Sequence, residues 1–377
     1  MTIAPVQAIP TDAASGQPEE GMALCLSGGG YRAMVFHVGM LWRLYETGLL
    51  NQIKRFSSVS GGSITAALLG LKWSRLRFLP AARGADFVPQ VVDPIRALAS
   101  ETIDAESILG GLLSGRISDH VASAYNLHLF GGATLQDLPD RPRFVINATN
   151  VQSGVLWRFS KPYMWDYRVG QVAKPTLGLA QAVAASSAFP PVLSPFELRL
   201  NSSDFTPGTG TDLQRPPFTT RVILTDGGVY DNLGLETAWK RYQTILVSDA
   251  GGKTEAEEEP KSDWARHSYR VLNLLDSQVR ALRKRQVIDS FVSGTRKGTY
   301  WGIRTDIKDY GLANALPCPH DRTMQLAAIP TRLKRLDDET QERLINWGYA
   351  VCDAALRAHV DPALQPMPAF PYPKREV

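Results

Sequence analysis

Ser60 stands in FSSVSGGS, at the end of a short apolar run and just before an apolar segment of helical character. That is where a nucleophile on a tight strand-to-helix turn would stand. Upstream the chain reads ALCLSGGGYRA, a strand followed by Gly28, Gly29, Gly30 and a helix start; far downstream it reads VILTDGGVYDN, a strand ending in Asp226-Gly227-Gly228. Together the three pieces describe a serine acyl hydrolase, with a backbone amide cradle for an oxyanion, a serine on an elbow and a carboxylate at the end of another strand.

An ester carbonyl attacked by serine develops negative charge on its oxygen, and losing one preorganised donor there costs about 2.7–4 kcal/mol of barrier. Gly28, Gly29 and Gly30 carry no side chains, so their N–H groups can approach a ligand closely, aided by the positive end of the following helix. Arg32 either anchors this loop or meets an anionic headgroup. GGGYRA also satisfies G-x-G-x-x-A, the dinucleotide fingerprint of an oxidoreductase using NAD(P). That reading requires an acidic residue at the end of the second strand. The strand here ends in Ser57, Ser58, Val59 and Ser60. A purely structural turn is a third reading of the same glycines.

Gly61 and Gly62 permit the backbone that would expose the Ser60 hydroxyl, although Ser58 occupies the place of the elbow's usual first glycine. The alternative is that Ser60 simply caps a helix; Ser63 is the better candidate for that role. The hydroxyl needs a base. None of the six histidines lies in a motif that marks it, though the order serine, aspartate, histidine is available through His267, His320 or His359. Asp226 is favoured, because it ends an apolar strand and Gly227 and Gly228 let the chain turn away at once. A desolvated carboxylate has a raised pKa and is a stronger base when ionised. Its alternative role is to cap a turn. Asp249, at the end of the next strand, is a secondary candidate.

These residues need strands and helices to position them. Met22–Leu26 and Arg55–Val59 read as buried strands, each followed by a helical pattern, over Arg32–Tyr45 and Ser63–Leu71. Two consecutive βα units call for a parallel sheet with helices on its faces. Residues 73–140 are looser and helical, broken by Pro80, Pro94, Gly110, Gly111, Gly131 and Gly132, and read as a helical insertion beside the site that helps to shape or cover an acyl-chain groove. Strands are expected at Phe144–Ala148 and Gly154–Phe159, and a helix at Leu179–Ala185, stopped by Pro190, Pro191 and Pro195. The segment between Leu200 and Arg221 is rich in turn formers and is expected to be a mobile loop. Val222–Leu224 and Ile245–Val247 are expected as neighbouring parallel strands. The acidic run around Glu257 reads as a solvated loop. Arg280, Arg283, Lys284 and Arg285 interleave with Leu275, Val279 and Leu282; the simplest reading is a core-facing apolar stripe with a solvated basic face, the alternative a face for acidic lipid headgroups.

The chain has 377 residues, 44% hydrophobic and 21% charged, which excludes global disorder. A net charge of +4 is too diffuse to argue for nucleic acid. Cys25, Cys318 and Cys352 form neither a disulfide framework nor a metal-ligand cluster, and a reducing compartment fits them. The first twenty residues lack the pattern of a secretory signal, and no run reaches the roughly 18 apolar residues of a membrane span. A cytoplasmic protein that visits membranes from solution is expected.

SGGGYRA, SVSGGS and TDGGVYDN, with ASSAFPPVLSPFEL from Ala185 to Leu198, resemble the glycine-rich loop, nucleophile elbow, aspartate motif and pre-aspartate segment of the patatin-like phospholipase family. The departures are Ser58 and Ala33, small residues where the family has glycine. The resemblance spans about Met22 to Asp249. It implies a three-layer α/β/α fold with a mainly parallel central sheet, and a Ser60–Asp226 dyad with Gly28, Gly29 and Gly30 holding the oxyanion and Arg32, Gly61, Gly62, Gly227 and Gly228 supporting the loops. It also implies a catalytic domain over residues 21–250, after a flexible leader over 1–20. A mainly helical extension over 251–360, packed on the same domain, and a Pro-rich tail over 361–377 complete the expected plan. The implied chemistry is an acyl-enzyme on a phospholipid or other lipid ester, with water or an alcohol as acceptor. No cofactor, metal or nucleic acid is called for, and there is no calcium loop or zinc spacing. A silent lipid-binding protein of the same fold is the remaining alternative.

Overall fold

The computed structural model describes residues 18–78, 85–103, 117–252 and 256–377. Most of the leader, the breaks at Pro80, Gly110 and Gly111, and the start of the acidic run lie outside the described residues. The strands are β1 (Glu19–Leu26), β2 (Ile53–Val59), β3 (Arg143–Asn150), β4 (Val155–Phe159), β5 (Tyr163–Asp166), β6 (Gly170–Ala173), β7 (Phe196–Arg199), β8 (Arg221–Asp226), β9 (Tyr242–Asp249) and β10 (Lys297–Gly302). The longer helices are α1 (Gly30–Glu46), α2 (Gly61–Lys72), α3 (Asp93–Ala99), α4 (Ile117–Tyr125), α5 (Leu179–Ser186), α6 (Trp264–Val292), α7 (His320–Ala327) and α8 (Asp338–His359).

β10, β9, β1, β2 and β3 lie side by side, each parallel to the next, and β4, β5 and β6 continue the sheet antiparallel. The alternation of a strand's side chains decides what covers each face. Leu24, Leu26 and Leu246 pack in the core that holds α1, α2 and α8, whereas Ala23, Cys25, Ile245 and Val247 pack on the other side with Leu233, Leu235, Ala238 and, from α6, Val287. The result is the α/β architecture with helices on both faces that the two opening βα units call for. α1 is buried nearly all round because α8 lies against it with almost no gap. A methyl group on Gly39 would come within 2.0 Å of the Ile345 carbonyl, and one on Gly348 within 2.0 Å of the Phe36 carbonyl.

Two expectations fail for physical reasons. β8 and β9 are not neighbours: β9 is parallel to β1 and β10, while β8 is antiparallel to β3 and β7. The segment after Leu200 is tied down, with the Thr206 N–H bonded to the Gln171 carbonyl, the Leu213 N–H bonded to the Arg168 carbonyl, and Phe205 and Leu213 buried. Beyond 251, alongside α6, α7 and α8, β10 adds a parallel edge strand to β9. Among the described residues, no helix is long and apolar enough to cross a membrane.

Candidate active site

β2 ends at Val59, paired with Asn147 of β3; β8 ends at Asp226, paired with Ala148, the next residue of β3. Because β2 is parallel and β8 antiparallel to β3, and β4 holds the other edge of β3, the two strands run toward each other along one edge and meet tip to tip. Ser60 and Asp226 are those tips. Residues separated by most of the αβ core in sequence thus face each other without either needing a long loop.

The elbow is strained. Ser60 has φ 52° and ψ −122°, a conformation that costs a non-glycine residue about 1–3 kcal/mol. It persists because its neighbours leave no alternative. The Ser60 N–H donates to Ser186 Oγ (3.0 Å), and its carbonyl accepts from the Ser63 N–H (2.8 Å). Ser186 Oγ in turn donates to the Asn147 carbonyl at 2.7 Å and lies 2.9 Å from Ser63 Oγ. Ser63 is therefore inside the first turn of α2, bonded to Ser186 and Ser58, and is not the cap. Ser60 occupies the cap position, yet its hydroxyl makes no capping bond.

The two glycine turns touch backbone to backbone. A methyl group on Gly61 would lie 2.2 Å from the Gly30 carbonyl oxygen, and one on Gly62 would lie 2.6 Å from that of Ser27. Gly30 has φ 61°, and its open side is closed by the Arg332 carbonyl, 2.5 Å from where a methyl would be. Of the three loop amides, that of Gly28 is already used, donating to the Asn232 carbonyl at 3.1 Å. Among the described residues the N–H groups of Gly29, Gly30 and Gly61 have no partner, and of these only Gly29 lines the cleft beside Ser60.

Asp226 is buried, with one oxygen occupied and one not. Oδ1 accepts from the Gly228 N–H at 2.7 Å, whereas Oδ2 has no hydrogen bond of ordinary geometry among the described residues. Burial pushes the carboxyl up to about 7, against the pull of the Gly228 N–H and the nearby Ser60 hydroxyl, with a further push from the charge of Asp276. The turn is fixed by the same strut that fixes the serine: the Gly227 N–H donates to the Ser186 carbonyl (3.1 Å) and the Asp226 N–H to that of Ala188 (3.0 Å). Ser186 thus holds both tips at once. A methyl on Gly227 would meet the Asn147 carbonyl at 2.3 Å, which leaves no room for any larger residue there.

The other candidates are committed elsewhere. Asp249 accepts from the Gly251 N–H (2.8 Å) and the Tyr300 hydroxyl (2.7 Å). Arg32 is buried, with Nε on the Ala250 carbonyl at 3.1 Å and the rest of the fork on the Ile329 carbonyl and Thr331 Oγ1, so it anchors the loop. Burial, with the charge of Arg280, lowers its pKa to about 10. His37 lies behind the loop between Ser248 Oγ and the Ser27 carbonyl, and burial lowers its pKa to about 4. Among the described residues no histidine lines the cleft, and no group of three His, Cys, Asp or Glu side chains converges as a metal site.

The cleft has a volume of about 330 Å³. None of its described lining residues comes from 73–140; its wall is α6, through Tyr269, Asn273, Asp276 and Arg280, together with the segment from Ala327 to Arg332. This inverts the expected orientation of α6. Arg280 and Arg283 turn inward, Arg280 donating to the Gly252 carbonyl (2.6 Å) and Arg283 pairing with Glu236 (3.1 Å), whereas Lys284, 4.6 Å over the Tyr300 ring, and Arg285 stay exposed. Leu275 and Leu282 are left 57% and 59% exposed. Ser186, Asn232 and Arg332 are the site residues that sequence reasoning missed. The first two sit inside quoted motifs, but nothing local marks Arg332.

A family model described as patatin-like phospholipase matches residues 24–239. No curated protein sequence matches the chain. Among solved structures, human GIVD cytosolic phospholipase A2 in complex with methyl gamma-linolenyl fluorophosphonate and terbium chloride aligns with 89% of this chain and 58% of its own, at 15% identity and a TM-score of 0.50. VipD from Legionella pneumophila aligns over 91% of this chain and 67% of its own, at 14% identity and a TM-score of 0.38. The chain thus spans little more than half the length of the human enzyme, and the likeness concerns the fold.

Proposed function

The chain belongs to the patatin-like phospholipase family, and on that premise we propose that it hydrolyses fatty acyl esters of phospholipids or related lipids through Ser60 and Asp226, by way of an acyl-enzyme. One observation carries this reading: a serine held at positive φ at the tip of β2, facing a buried carboxylate oxygen that has no other partner among the described residues. Ser60 Oγ attacks the ester carbonyl as its proton passes to Asp226 Oδ2. The N–H group of Gly29, which lines the cleft beside Ser60, meets the developing oxyanion, and the protonated Asp226 gives its proton to the departing alkoxide. Water, activated by Asp226 in the same way, then releases the fatty acid from Ser60. The amide of Gly28 serves the loop, through Asn232, and not the oxyanion.

Mixed phospholipid vesicles incubated with the protein should release free fatty acid, and a fluorophosphonate ester should attach one phosphonyl group, located on Ser60 by peptide mass spectrometry. Neither fatty acid release nor labelling of Ser60 in the folded protein would overturn the reading.

Substrate of this kind resides in a membrane, and α6 is the element that meets it. Trp264, Val271, Leu275 and Leu282 are spaced to share one face and are 83%, 40%, 57% and 59% exposed, while the opposite face of the same helix walls the cleft. An apolar outer face directly over the cleft suits a bilayer surface from which an acyl ester is drawn. Burying two leucines in lipid contributes about 3 kcal/mol or more. Leu275→Ser with Leu282→Ser should therefore lower vesicle hydrolysis by at least about tenfold and leave hydrolysis of a soluble short-chain ester unchanged. Vesicle turnover equal to that of the wild type would remove α6 from membrane contact.

A further inference from the structure

The amino-terminal edge of the parallel strands, the pole opposite Ser60, gathers a cluster of cations. A cleft of about 510 Å³ there is lined by Lys54 and Arg55 at the start of β2, Arg141 and Arg143 at the start of β3, and Arg241 just before β9. Among the described residues, none of these five side chains makes an ion pair or a side-chain hydrogen bond. Three carboxylates share the rim and do not neutralise it: Asp140 is paired with Lys161 at 3.3 Å, and Glu19 and Glu20 point to solvent at the start of β1.

Arg55 is the telling member. It is 4% exposed, its Nε is buried without a hydrogen-bond partner among the described residues, and the Tyr242 ring lies 5.8 Å from its guanidinium carbon. A buried guanidinium N–H is stabilised by an acceptor, and the Nε of Arg55, held without one among the described residues, calls for an explanation. Tyr163 reports the field of the cluster. Burial raises its pKa, yet the charges of Arg55, Arg158, Arg241 and Arg143 outweigh that and leave it below the ordinary tyrosine value.

We propose that this cleft binds a multiply charged phosphate-type anion, whose oxygens supply Arg55, Arg143 and Arg241 with the acceptors the protein does not. Planar guanidinium forks converging from three strand ends match phosphate oxygens in a way that scattered lysines would not. Open α/β sheets hold their reacting ligands at the carboxyl ends of the strands, so the occupant of this edge is not the substrate of Ser60. The two sites lie about 16 Å apart, five residue steps along β2 from Arg55 to Ser60.

Calorimetric titration of the full chain with inorganic pyrophosphate should show saturable binding at one site, weakened by added salt. Arg143→Gln with Arg241→Gln should weaken it at least tenfold, while Lys261→Gln with Lys308→Gln, exposed charges elsewhere, should not change it. Arg55→Met should abolish binding and raise Tm when no anion is present, whereas a merely structural Arg55 would lower Tm on replacement. Phosphatidylcholine vesicles with and without phosphatidic acid separate the sources: selective retention on the phosphatidic acid vesicles identifies a lipid headgroup, and pyrophosphate binding without retention identifies a soluble phosphate. No saturable binding to either probe, or unchanged affinity in a folded Arg143→Gln/Arg241→Gln variant, would overturn the proposal.

Discussion

Replacing Ser60 with alanine should leave a folded protein whose kcat/KM for ester hydrolysis is lower by roughly 10⁴- to 10⁶-fold. The hydroxyl makes no capping bond, and the bonds that hold the elbow are made by the Ser60 backbone, so its removal costs little structure. Alanine keeps the strained φ of 52°, whereas glycine relieves it. Ser60→Gly should thus be more stable than Ser60→Ala by up to about 1 kcal/mol and equally inactive. Thermal unfolding and fatty acid release on the same two variants read both effects. Activity retained in Ser60→Ala would move the chemistry away from the elbow altogether.

Asp226→Asn should lower kcat by roughly 10⁴-fold while making the protein more stable above neutral pH. The sign follows from linkage. Below pH about 4 the carboxyl is protonated whether the chain is folded or not, and it contributes no pH dependence. As pH rises from about 4 to about 7 the unfolded chain has lost the proton that the folded one still holds, so this group makes stability fall; above about 7 the full penalty of the buried charge remains. Asparagine can still accept from the Gly228 N–H through its carbonyl oxygen and carries no charge. The Tm advantage of the variant should therefore grow between pH 4 and 7 and then level off. Wild-type activity should rise through pH about 7 as the base ionises. A variant less stable than the wild type at pH 8 would contradict a buried, proton-hungry carboxylate.

Ser60, Asp226 and the glycine loop were legible in the sequence because their signals are local: small residues at the ends of apolar runs report turns, whatever those turns later face. Their meeting was not legible. It depends on β8 taking the edge of β3 that β2 vacates, and strand pairing across so many residues leaves no trace in either strand's own pattern. The orientation of α6 failed for a related reason. Periodicity shows that a helix has two faces but not which one the fold needs, and here a polar cleft recruits Asn273, Asp276 and Arg280 and leaves Leu275 and Leu282 outside. Gly28 was grouped with its neighbours because sequence shows a missing side chain and cannot show an amide already spent on Asn232.

The anchoring of the glycine loop has a consequence for how the protein is made. Tyr31 donates its N–H to the Arg332 carbonyl, and Arg32 grips the Ile329 carbonyl from 297 residues away in the chain. A nascent polypeptide that has already released β9 from the ribosome carries both Ser60 and Asp226, but its loop still lacks the segment that closes behind Gly30. The proposed catalytic centre is thus completed only after α7 has emerged, and a chain cut short of that point would hold every reacting group while remaining disarmed.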